Sequence, residues 1–467
     1  MSPTPCALIG LLALSAAVVA QETNSPPLRL HPENPHYLLF RGKPTVLITS
    51  GEHYGAVLNL DFDYVPYLNE LQSKTLNLTR TFSGTYREIP SSFGITDNTL
   101  APKRYCSPWA QAGEKFDLAK WNDAYFARLK DFVAQASNRG VVVEYVLFCP
   151  FYEENLWDAN PMNPKNNVNN TPNCPRTEVY TLKHDALLKI HDAFARKVVA
   201  ELNAFDNVYF EICNEPYFGG VTLEWQAHIS QTIVDAEKGL PNKHLIAQNI
   251  ANGGQKIEKP NPLVSIFNFH YATPPNTVAE NYRLNKVLSD DETGFRGKDD
   301  VLYRTEAWDF LIAGGAIYSN LDYSFTPGHP AGDLRDYKSP GGGSAELRSQ
   351  LKILKDFVNG FDFVHMAPKN DIVKGGSITA PLAGTPAQVR GTVRVLGQDG
   401  KAYAIYIYGG TQAELKLALP AGAYKAEWLN TKTGKIDKAE EFGHAGGVRA
   451  IGSPAYSEDI ALRVASN

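Results

Sequence analysis

The chain has 467 residues, of which 43% are hydrophobic and 20% are charged, and its net charge is −5. These values are typical of a folded globular protein with room for one large domain and one small one. No basic excess is present to favour nucleic acid as a partner.

The first feature in chain order is the apolar stretch of residues 7–20. It is too short to cross a bilayer. It ends in the small-residue pattern Ala17-Val-Val-Ala20, which indicates a signal peptide cut after Ala20, although no Lys or Arg precedes it. No Cys stands at the cut site to carry a lipid. We therefore expect an exported protein, secreted or periplasmic, without a membrane anchor; the oligomeric state is not predicted.

Eight apolar runs predict buried strands, and most of them are separated by runs of helical periodicity. The predicted strands are Pro44–Ser50, Thr75–Phe82, Val141–Phe148, Val208–Cys213, His244–Gln248, Val264–Tyr271, Lys286–Ser289 and Ala316–Asp322. The predicted helices are Asp63–Ser73, Trp121–Asn138, His184–Leu202, Thr222–Lys238, Val301–Ile312 and Ala345–Asn359. This alternation predicts a parallel α/β sheet, and eight units predict a (β/α)8 TIM barrel in residues 21–370, opened by an N-terminal β-hairpin. Only the link after the fifth strand lacks a helical pattern.

Two long polar loops interrupt the barrel, at residues 83–116 and 151–176. Loops of this length in a compact domain are usually functional. They could line an open cleft or wall off a pocket, and we favour the pocket. Trp109 and Trp157 lie in them, where their rings could stack on sugars or pack within the loop.

Four cysteines follow the signal peptide. Cys106 and Cys174 fall in polar loops and are the more plausible disulfide pair, whereas Cys149 and Cys213 fall in apolar runs and are expected to be buried thiols. Their spacing does not resemble a zinc site, and we predict neither a metal nor a cofactor.

Helical periodicity ends near residue 371. Short alternating runs follow, including Tyr403–Tyr408, Tyr424–Leu429 and Asp459–Val464, with turns at Asp399-Gly400 and Thr433-Gly434. We predict a small all-β sandwich in residues 371–467, packed against the barrel.

The chemistry is expected where strands end, because the carboxyl ends of barrel strands form the active face of this fold. The fourth strand ends in Asn214-Glu215-Pro216, and the seventh runs into Asp290-Asp291-Glu292. Cleaving a glycosidic bond requires one carboxyl group to protonate the leaving oxygen and another to face the anomeric carbon. Glu215 would be the acid, kept protonated by a second carboxylate nearby.

With these motifs, residues 28–368 resemble a clan A glycoside hydrolase of the cellulase-like, family 5 kind. The resemblance assigns Glu215 as acid/base and Glu292, in Glu292-Thr-Gly294, as nucleophile, with Asp291 as the alternative. It places Arg80 and the pair His270 and Tyr271 beside them. The C-terminal domain resembles a β-sandwich of bacterial glycosidases that is sometimes called a collagen-binding domain. That label is only weak evidence that the domain binds collagen.

Six residues are expected to bind or orient the substrate: His53, Arg80, Asn214, His270, Tyr271 and Tyr323. Arg80 would hold Glu292 ionised, His270 or Tyr271 would hydrogen-bond it, and Asn214 would bind a sugar hydroxyl. The family usually places a Trp after the eighth strand, and Tyr323 or Phe325 would replace it here. His53 and Glu52 could bind sugar or cap the first strand. Arg80 could instead form a structural ion pair of the barrel, and His270 could be a core histidine.

The sequence therefore predicts a secreted glycoside hydrolase that cleaves β-linked oligo- or polysaccharides by double displacement, with retention of configuration. Its partner is a carbohydrate substrate of unknown sugar and linkage. A carbohydrate-binding barrel that has lost catalysis and a transglycosidase using the same residues are the alternatives.

Overall fold

The computed structural model describes residues 25–52, 54–382 and 385–466. The expected signal peptide at residues 1–20 and the candidate ligand His53 lie outside the described residues. None of the described helices is long and apolar enough to cross a membrane.

Eight parallel strands form the central sheet, hydrogen-bonded in the order β1-β8-β7-β6-β5-β4-β3-β2. This order is that of a TIM barrel, so the predicted fold class is confirmed. The strands are β1 Leu47–Gly51, β2 Leu78–Phe82, β3 Val142–Phe148, β4 Val208–Cys213, β5 Ile246–Asn252, β6 Ile266–His270, β7 Val287–Thr293 and β8 Ile317–Leu321. Seven of them are buried along their whole length, as expected for strands covered on both faces.

The barrel closes between β1 and β2 through the side chain of Asn77. Its Oδ1 accepts the Ile48 N–H at 3.0 Å, and its Nδ2 donates to the Val46 carbonyl at 2.9 Å. The Asn77 backbone N–H also donates to the Ile48 carbonyl, at 3.3 Å. The Asn77 side chain therefore supplies hydrogen bonds between β1 and β2, where the other neighbouring strands are joined by backbone hydrogen bonds.

Replacing Asn77 by Ala is expected to lower the free energy of unfolding by about 2–3 kcal/mol, because it leaves buried backbone groups of β1 without partners. Urea denaturation measures this change. Asn69→Ala on the exposed face of the first helix is the matched control and should stay within about 0.5 kcal/mol of the wild type. An equally small loss for Asn77→Ala would show that the seam does not depend on this side chain.

Six long helices surround the sheet. They are α1 Tyr64–Ser73, α2 Asp123–Asn138, α3 Asp185–Leu202, α4 Leu223–Glu237, α5 Asp300–Ile312 and α6 Ala345–Asn359. Asp63 and Thr222 cap α1 and α4 by accepting backbone N–H bonds with their side chains. Two short helices, Glu154–Asp158 and Asn276–Asn281, lie in loops, and residues 253–265 after β5 contain no helix, as expected.

Two small sheets accompany the barrel. A three-stranded antiparallel sheet precedes it, formed by Arg29–Leu30, Leu38–Phe40 and Lys43–Thr45. A hairpin of Trp109–Ala112 and Lys115–Trp121 occupies the end of the first long loop. The sequence predicted the start of α2 at Trp121, which instead belongs to this hairpin.

The expected disulfide between Cys106 and Cys174 is not formed. All four cysteines of the described chain are free thiols in buried positions. The two loop cysteines have different polar neighbours: Cys106 is near the side chain of Asn122, whereas the Cys174 carbonyl accepts a hydrogen bond from the indole N–H of Trp157.

The C-terminal domain is one antiparallel sheet folded around its own apolar core. Its strands are Ala367–Pro368, Val373–Leu382, Thr385–Gln388, Thr392–Gln398, Ala402–Tyr408, Gln412–Leu429, Ile436–Gly452 and Asp459–Ser466. The long strand Gln412–Leu429 pairs with Val373–Leu382 through its first residues and with Asp459–Ser466 through its last. This strand therefore has different neighbours along its length, and the sheet bends around the core there.

Helix α5 joins the two domains. Every residue from Tyr303 to Ile312 is buried, because the barrel covers one face of the helix and the C-terminal sheet covers another. Trp308 stacks on Tyr406 with ring centroids 5.5 Å apart, and the Arg304 guanidinium donates to Asp459 at 2.7 Å. The C-terminal domain is therefore fixed against the helical layer, at α5.

Candidate active site

A cavity of about 330 Å³ opens at the carboxyl ends of the barrel strands. Aromatic and apolar side chains make up most of its wall, and a small polar group lies among them. The wall comprises Tyr54, Phe82, Tyr86, Glu88, Phe93, Ile95, Cys149, Tyr152, Asn214, Glu215, Phe218, Asn252, Tyr271, Glu292, Phe295, Leu321 and Tyr323. A concave apolar pocket with few convergent polar groups is the usual form of a small-molecule site.

Glu215 stands two residues beyond the end of β4, in a strained backbone conformation. Its φ of 37° lies in the left-handed region that side chains other than glycine seldom adopt. The turn is closed by a hydrogen bond from the Phe218 N–H to the Glu215 carbonyl at 3.0 Å. Strain of this kind collects at functional sites, where the surroundings must hold it in place. The turn brings the Glu215 side chain into the cavity wall.

Glu292 lies inside β7, not beyond its end. The pairing of β7 shifts register against β6 between Asp290 and Glu292, and against β8 between Asp290 and Thr293. Such a bulge changes the direction of side chains. As a result the consecutive residues Asp291 and Glu292 both reach toward Arg80, although regular strand geometry would place them on opposite faces.

The three consecutive acids of β7 have different surroundings. Glu292 lines the cavity, whereas Asp291 is fully buried beneath it and accepts a hydrogen bond from Asn268 at 2.8 Å. Asp290 is also fully buried and lies near Glu306 of α5. Of the two candidate nucleophiles, only Glu292 borders the space that a sugar could occupy.

Arg80 on β2 is the positive centre of the site. Its Nη1 contacts a Glu292 oxygen at 2.8 Å, and its Nε and Nη2 both donate to one oxygen of Glu211 at 3.0 and 2.8 Å. Asp291 and Glu144 lie 3.3 and 3.9 Å from its Nε. Arg80 is 3% exposed, so one buried guanidinium faces four carboxyl groups.

Burial favours the neutral form of two acids below Arg80, Glu144 and Asp291. Burial, and then the charge of Glu211, raises the pKa of Glu144 to about 7. Burial and Glu144 likewise raise the pKa of Asp291 well above its usual value. Protonation in this layer reduces the competition for Arg80 and leaves its charge available to Glu292.

His270, at the end of β6, lies between the two candidate catalytic carboxyl groups. Its Nδ1 is 3.3 Å from an oxygen of Glu215 and 3.6 Å from an oxygen of Glu292. Its Nε2 contacts the side-chain amide of Asn249, whose Oδ1 has no other partner. Its Nε2 also lies 3.6 Å from an oxygen of Asp291, so carboxyl groups lie near both nitrogens of the ring.

The pKa shifts of this trio differ from the sequence-based expectation. Burial raises the pKa of Glu215, but hydrogen bonds from His270 and Tyr152 outweigh it, and the pKa lies below its usual value. Burial raises the pKa of Glu292, despite the lowering effect of His270. The expectation that Glu292 keeps Glu215 protonated is therefore wrong. Burial lowers the pKa of His270, but the charges of Glu292 and Glu215 outweigh it and raise that pKa above its usual value.

Tyr152 is a site residue that the sequence did not reveal. Its hydroxyl donates to Glu215 at 2.6 Å and accepts from the Asn214 amide at 2.8 Å. Asn214 in turn accepts from Arg80 at 2.7 Å. A chain of hydrogen bonds thus runs from Arg80 through Asn214 and Tyr152 to Glu215. Asn214 was expected to bind a sugar hydroxyl, but both of its polar atoms already have protein partners.

The remaining predicted residues divide between site and scaffold. Tyr271 points its hydroxyl at Glu292, 3.4 Å away, and Tyr323 forms part of the cavity wall. Phe325 is fully buried against Tyr67. Both oxygens of Glu52 accept backbone N–H bonds from its own loop, at Gly55 and Ala56, so it caps β1.

Neither of the two loop tryptophans contributes to the site. Trp109 packs on Phe194 and Trp157 on Phe151, and both are at most 3% exposed. Packing within the loop, the second interpretation, therefore holds for Trp157, whereas Trp109 packs against helix α3.

Solved structures share this architecture, although no protein-family model and no curated protein matches the chain. A structure described as a glycoside hydrolase aligns with a TM-score of 0.62 at 15% identity, over 95% of this chain and 97% of its own. A glycoside hydrolase of family 5 from Bacteroides vulgatus aligns with a TM-score of 0.63 at 15% identity, over 94% and 93%. A family 5 mannosidase from Rhizomucor miehei aligns with a TM-score of 0.50 at 11% identity, over 72% and 99%. At these identities the likeness concerns the fold, and the predicted resemblance to family 5 barrels is confirmed at that level.

Proposed function

We propose that the protein is a retaining glycoside hydrolase acting on a β-linked carbohydrate, with Glu292 as nucleophile and Glu215 as acid/base. The observation that carries the proposal is the spacing of one trio: oxygens of Glu215 and Glu292 and a ring nitrogen of His270 all lie within 4.8 Å of one another at the cavity wall. Retaining enzymes hold their two carboxyl groups about 5–5.5 Å apart, whereas inverting enzymes leave about 6.5–9.5 Å for a water molecule.

In the first step, a Glu292 oxygen attacks the anomeric carbon while the glycosidic oxygen takes up a proton and leaves. Arg80 at 2.8 Å stabilises the ionised form of Glu292, and Tyr271 orients it. The proton reaches the leaving oxygen from Glu215, which is supplied by His270 through the contact at 3.3 Å. In the second step Glu215 removes a proton from the water molecule that attacks the glycosyl ester, and passes it back to His270. Glu292, Glu215 and His270 then all return to their starting states.

The charge balance favours this order of events. While Glu292 is ionised, both carboxylates hold the proton on His270. When Glu292 becomes an ester it loses its charge, so the imidazolium loses one of the two anions that stabilise it. Its proton then moves more readily to Glu215 and the leaving group.

The acid role of Glu215 predicts a dependence on the leaving group. Glu215→Gln should lower kcat for an alkyl β-glycoside by about 10²- to 10⁴-fold, because an alkoxide needs a proton in order to leave. The loss should be much smaller for a 2,4-dinitrophenyl glycoside, whose leaving group needs none. Initial rates on the two substrates measure this ratio within one variant. Equal losses on both substrates would contradict the assignment.

Export remains part of the proposal, supported by the apolar stretch of residues 7–20 and its small-residue end. N-terminal sequencing of the mature protein from culture medium or periplasm should give Gln21 as the first residue.

A further inference from the structure

The mouth of the cavity carries an unusual group of exposed aromatic side chains. Among the described side chains, Phe93, Phe218 and Phe295 are the three most exposed phenylalanines, at 40%, 43% and 41%. All three line the same cavity. Exposed apolar residues scattered singly need no explanation, but a contiguous group beside a pocket marks a binding surface.

Two of these rings, Phe93 and Phe218, contact the ring of Tyr152. The Phe93 ring meets the Tyr152 ring at 5.2 Å, and the Phe218 ring meets it at 5.8 Å. Phe295 continues the series, 6.3 Å from Phe93. We call these three phenylalanines, with Tyr152 between them, the aromatic rim.

The rim lies on the leaving-group side of the proposed reaction. Tyr152 donates its hydroxyl to Glu215, and Phe218 follows Glu215 in the same tight turn. In a retaining glycosidase the acid/base stands beside the leaving group, because it must protonate that oxygen. Phe93 and Phe218 therefore border the space that the aglycone occupies.

The surroundings of the rim suit an apolar aglycone better than a second sugar. A sugar at this position requires donors and acceptors for several hydroxyl groups. Of the five carboxyl and amide side chains in the wall, Asn214, Glu215 and Glu292 lie at the reaction centre, where Arg80, Tyr152 and His270 already engage them. Glu88 and Asn252 are the other two. Asn252, an exposed polar side chain of the outer wall, accepts a hydrogen bond from Tyr217.

We infer that the aromatic rim selects glycosides with an alkyl or aryl aglycone, which it covers during cleavage. This inference rests on the proposed function and names its substrate class. Each methylene group of the aglycone that leaves water for the rim adds binding energy, and about two such groups are enough for a tenfold preference.

The test compares methyl and octyl β-glycosides of glucose, mannose and galactose, with the octyl compounds kept below their micelle concentration. The octyl compound of the glycone that is cleaved should show a kcat/KM at least tenfold above its methyl partner. In the Phe93→Ser, Phe218→Ser double variant this ratio should fall by about tenfold. The matched control is Leu223→Ser, an exposed apolar residue at the start of α4 outside the cavity wall, which should retain the wild-type ratio.

Binding of the corresponding methyl and octyl β-thioglycosides, measured by calorimetry, separates this inference from the proposed function. Tighter binding of the octyl compound that is lost in the double variant supports the inference about the aromatic rim, whether or not any glycoside is cleaved. Absence of cleavage would contradict only the proposed hydrolase function. Equal binding and equal kcat/KM for both chain lengths would overturn the inference, as would an unchanged octyl preference in the double variant.

Discussion

Replacing Glu292 by Gln is expected to lower kcat by about 10⁴- to 10⁶-fold, the upper value being the scale seen when a covalent nucleophile is removed. The substitution keeps the shape of the side chain and removes the charge that attacks the anomeric carbon. Glu292 lines the cavity and contacts Arg80 at 2.8 Å, so no other group of the described site is placed to substitute for it. Initial rates on an activated aryl β-glycoside, with active-site concentration determined independently, measure the loss.

Two comparisons make this result specific. Asp291→Asn removes the neighbouring acid, which is buried beneath the cavity, and should reduce kcat far less than Glu292→Gln. Azide added to Glu292→Ala should restore turnover and give an α-glycosyl azide, because the anion attacks from the side vacated by the nucleophile. A greater loss in Asp291→Asn than in Glu292→Gln would transfer the nucleophile assignment to Asp291.

Replacing Arg80 by Met is expected to destabilise the protein by at least about 3–5 kcal/mol, the cost of removing one partner of a buried ion pair. Four carboxyl groups would lose their only close guanidinium among the described residues. The loss should increase with pH. Unpaired buried acids have raised pKa values in the folded state, so the unfolded state holds fewer protons and stability falls as pH rises above about 4. Urea denaturation at about pH 5 and about pH 8 measures both effects.

Matched variants separate the charge of Arg80 from its geometry. Arg104→Met breaks an exposed ion pair with Asp61 and should cost no more than about 1 kcal/mol. Arg80→Lys should remain folded but lose most activity, because one ammonium cannot reach Glu211, Asn214 and Glu292 together. Its lower pH limb for kcat/KM should move to higher pH as Glu292 loses its partner. Full activity in Arg80→Lys would show that only the charge of Arg80 matters and that its guanidinium geometry is not needed for catalysis.

The barrel could be predicted because its signals are local. Apolar runs such as Val208–Cys213 and amphipathic runs such as Ala345–Asn359 are present in the sequence at the same bounds as in the structure. The carboxyl end of β4 followed from the same pattern, and with it the position of Glu215. The C-terminal strand Ile436–Gly452 was not predicted, because its side chains are largely exposed and its residues lack a clear alternation.

The features that could not be predicted depend on contacts between distant residues. The bulge in β7 is a property of its pairing with β6 and β8, and at this bulge Glu292 lines the cavity while Asp291 stays buried beneath it. Tyr152 stands 63 positions before Glu215 in the sequence, in a loop without periodicity. A tyrosine four positions after the end of the third strand was the only available signal.

The protonation of the site also required the structure. Two nearby acids suggested that one would keep the other protonated, but a histidine between them provides a third position for the proton. His270 was predicted as a hydrogen-bond partner of Glu292, and the structure places its Nδ1 beside Glu215 as well, at 3.3 Å. Charge on a buried group follows from all of its neighbours, and the sequence supplies only some of them.

The stereochemistry of the first product tests the central claim most directly. Proton NMR during hydrolysis of a β-glycoside should show the β-anomer of the free sugar first, followed by slow mutarotation, because Glu215 and Glu292 are close enough for double displacement. Initial release of the α-anomer would contradict the account, since a single inversion requires a water molecule between the two carboxyl groups.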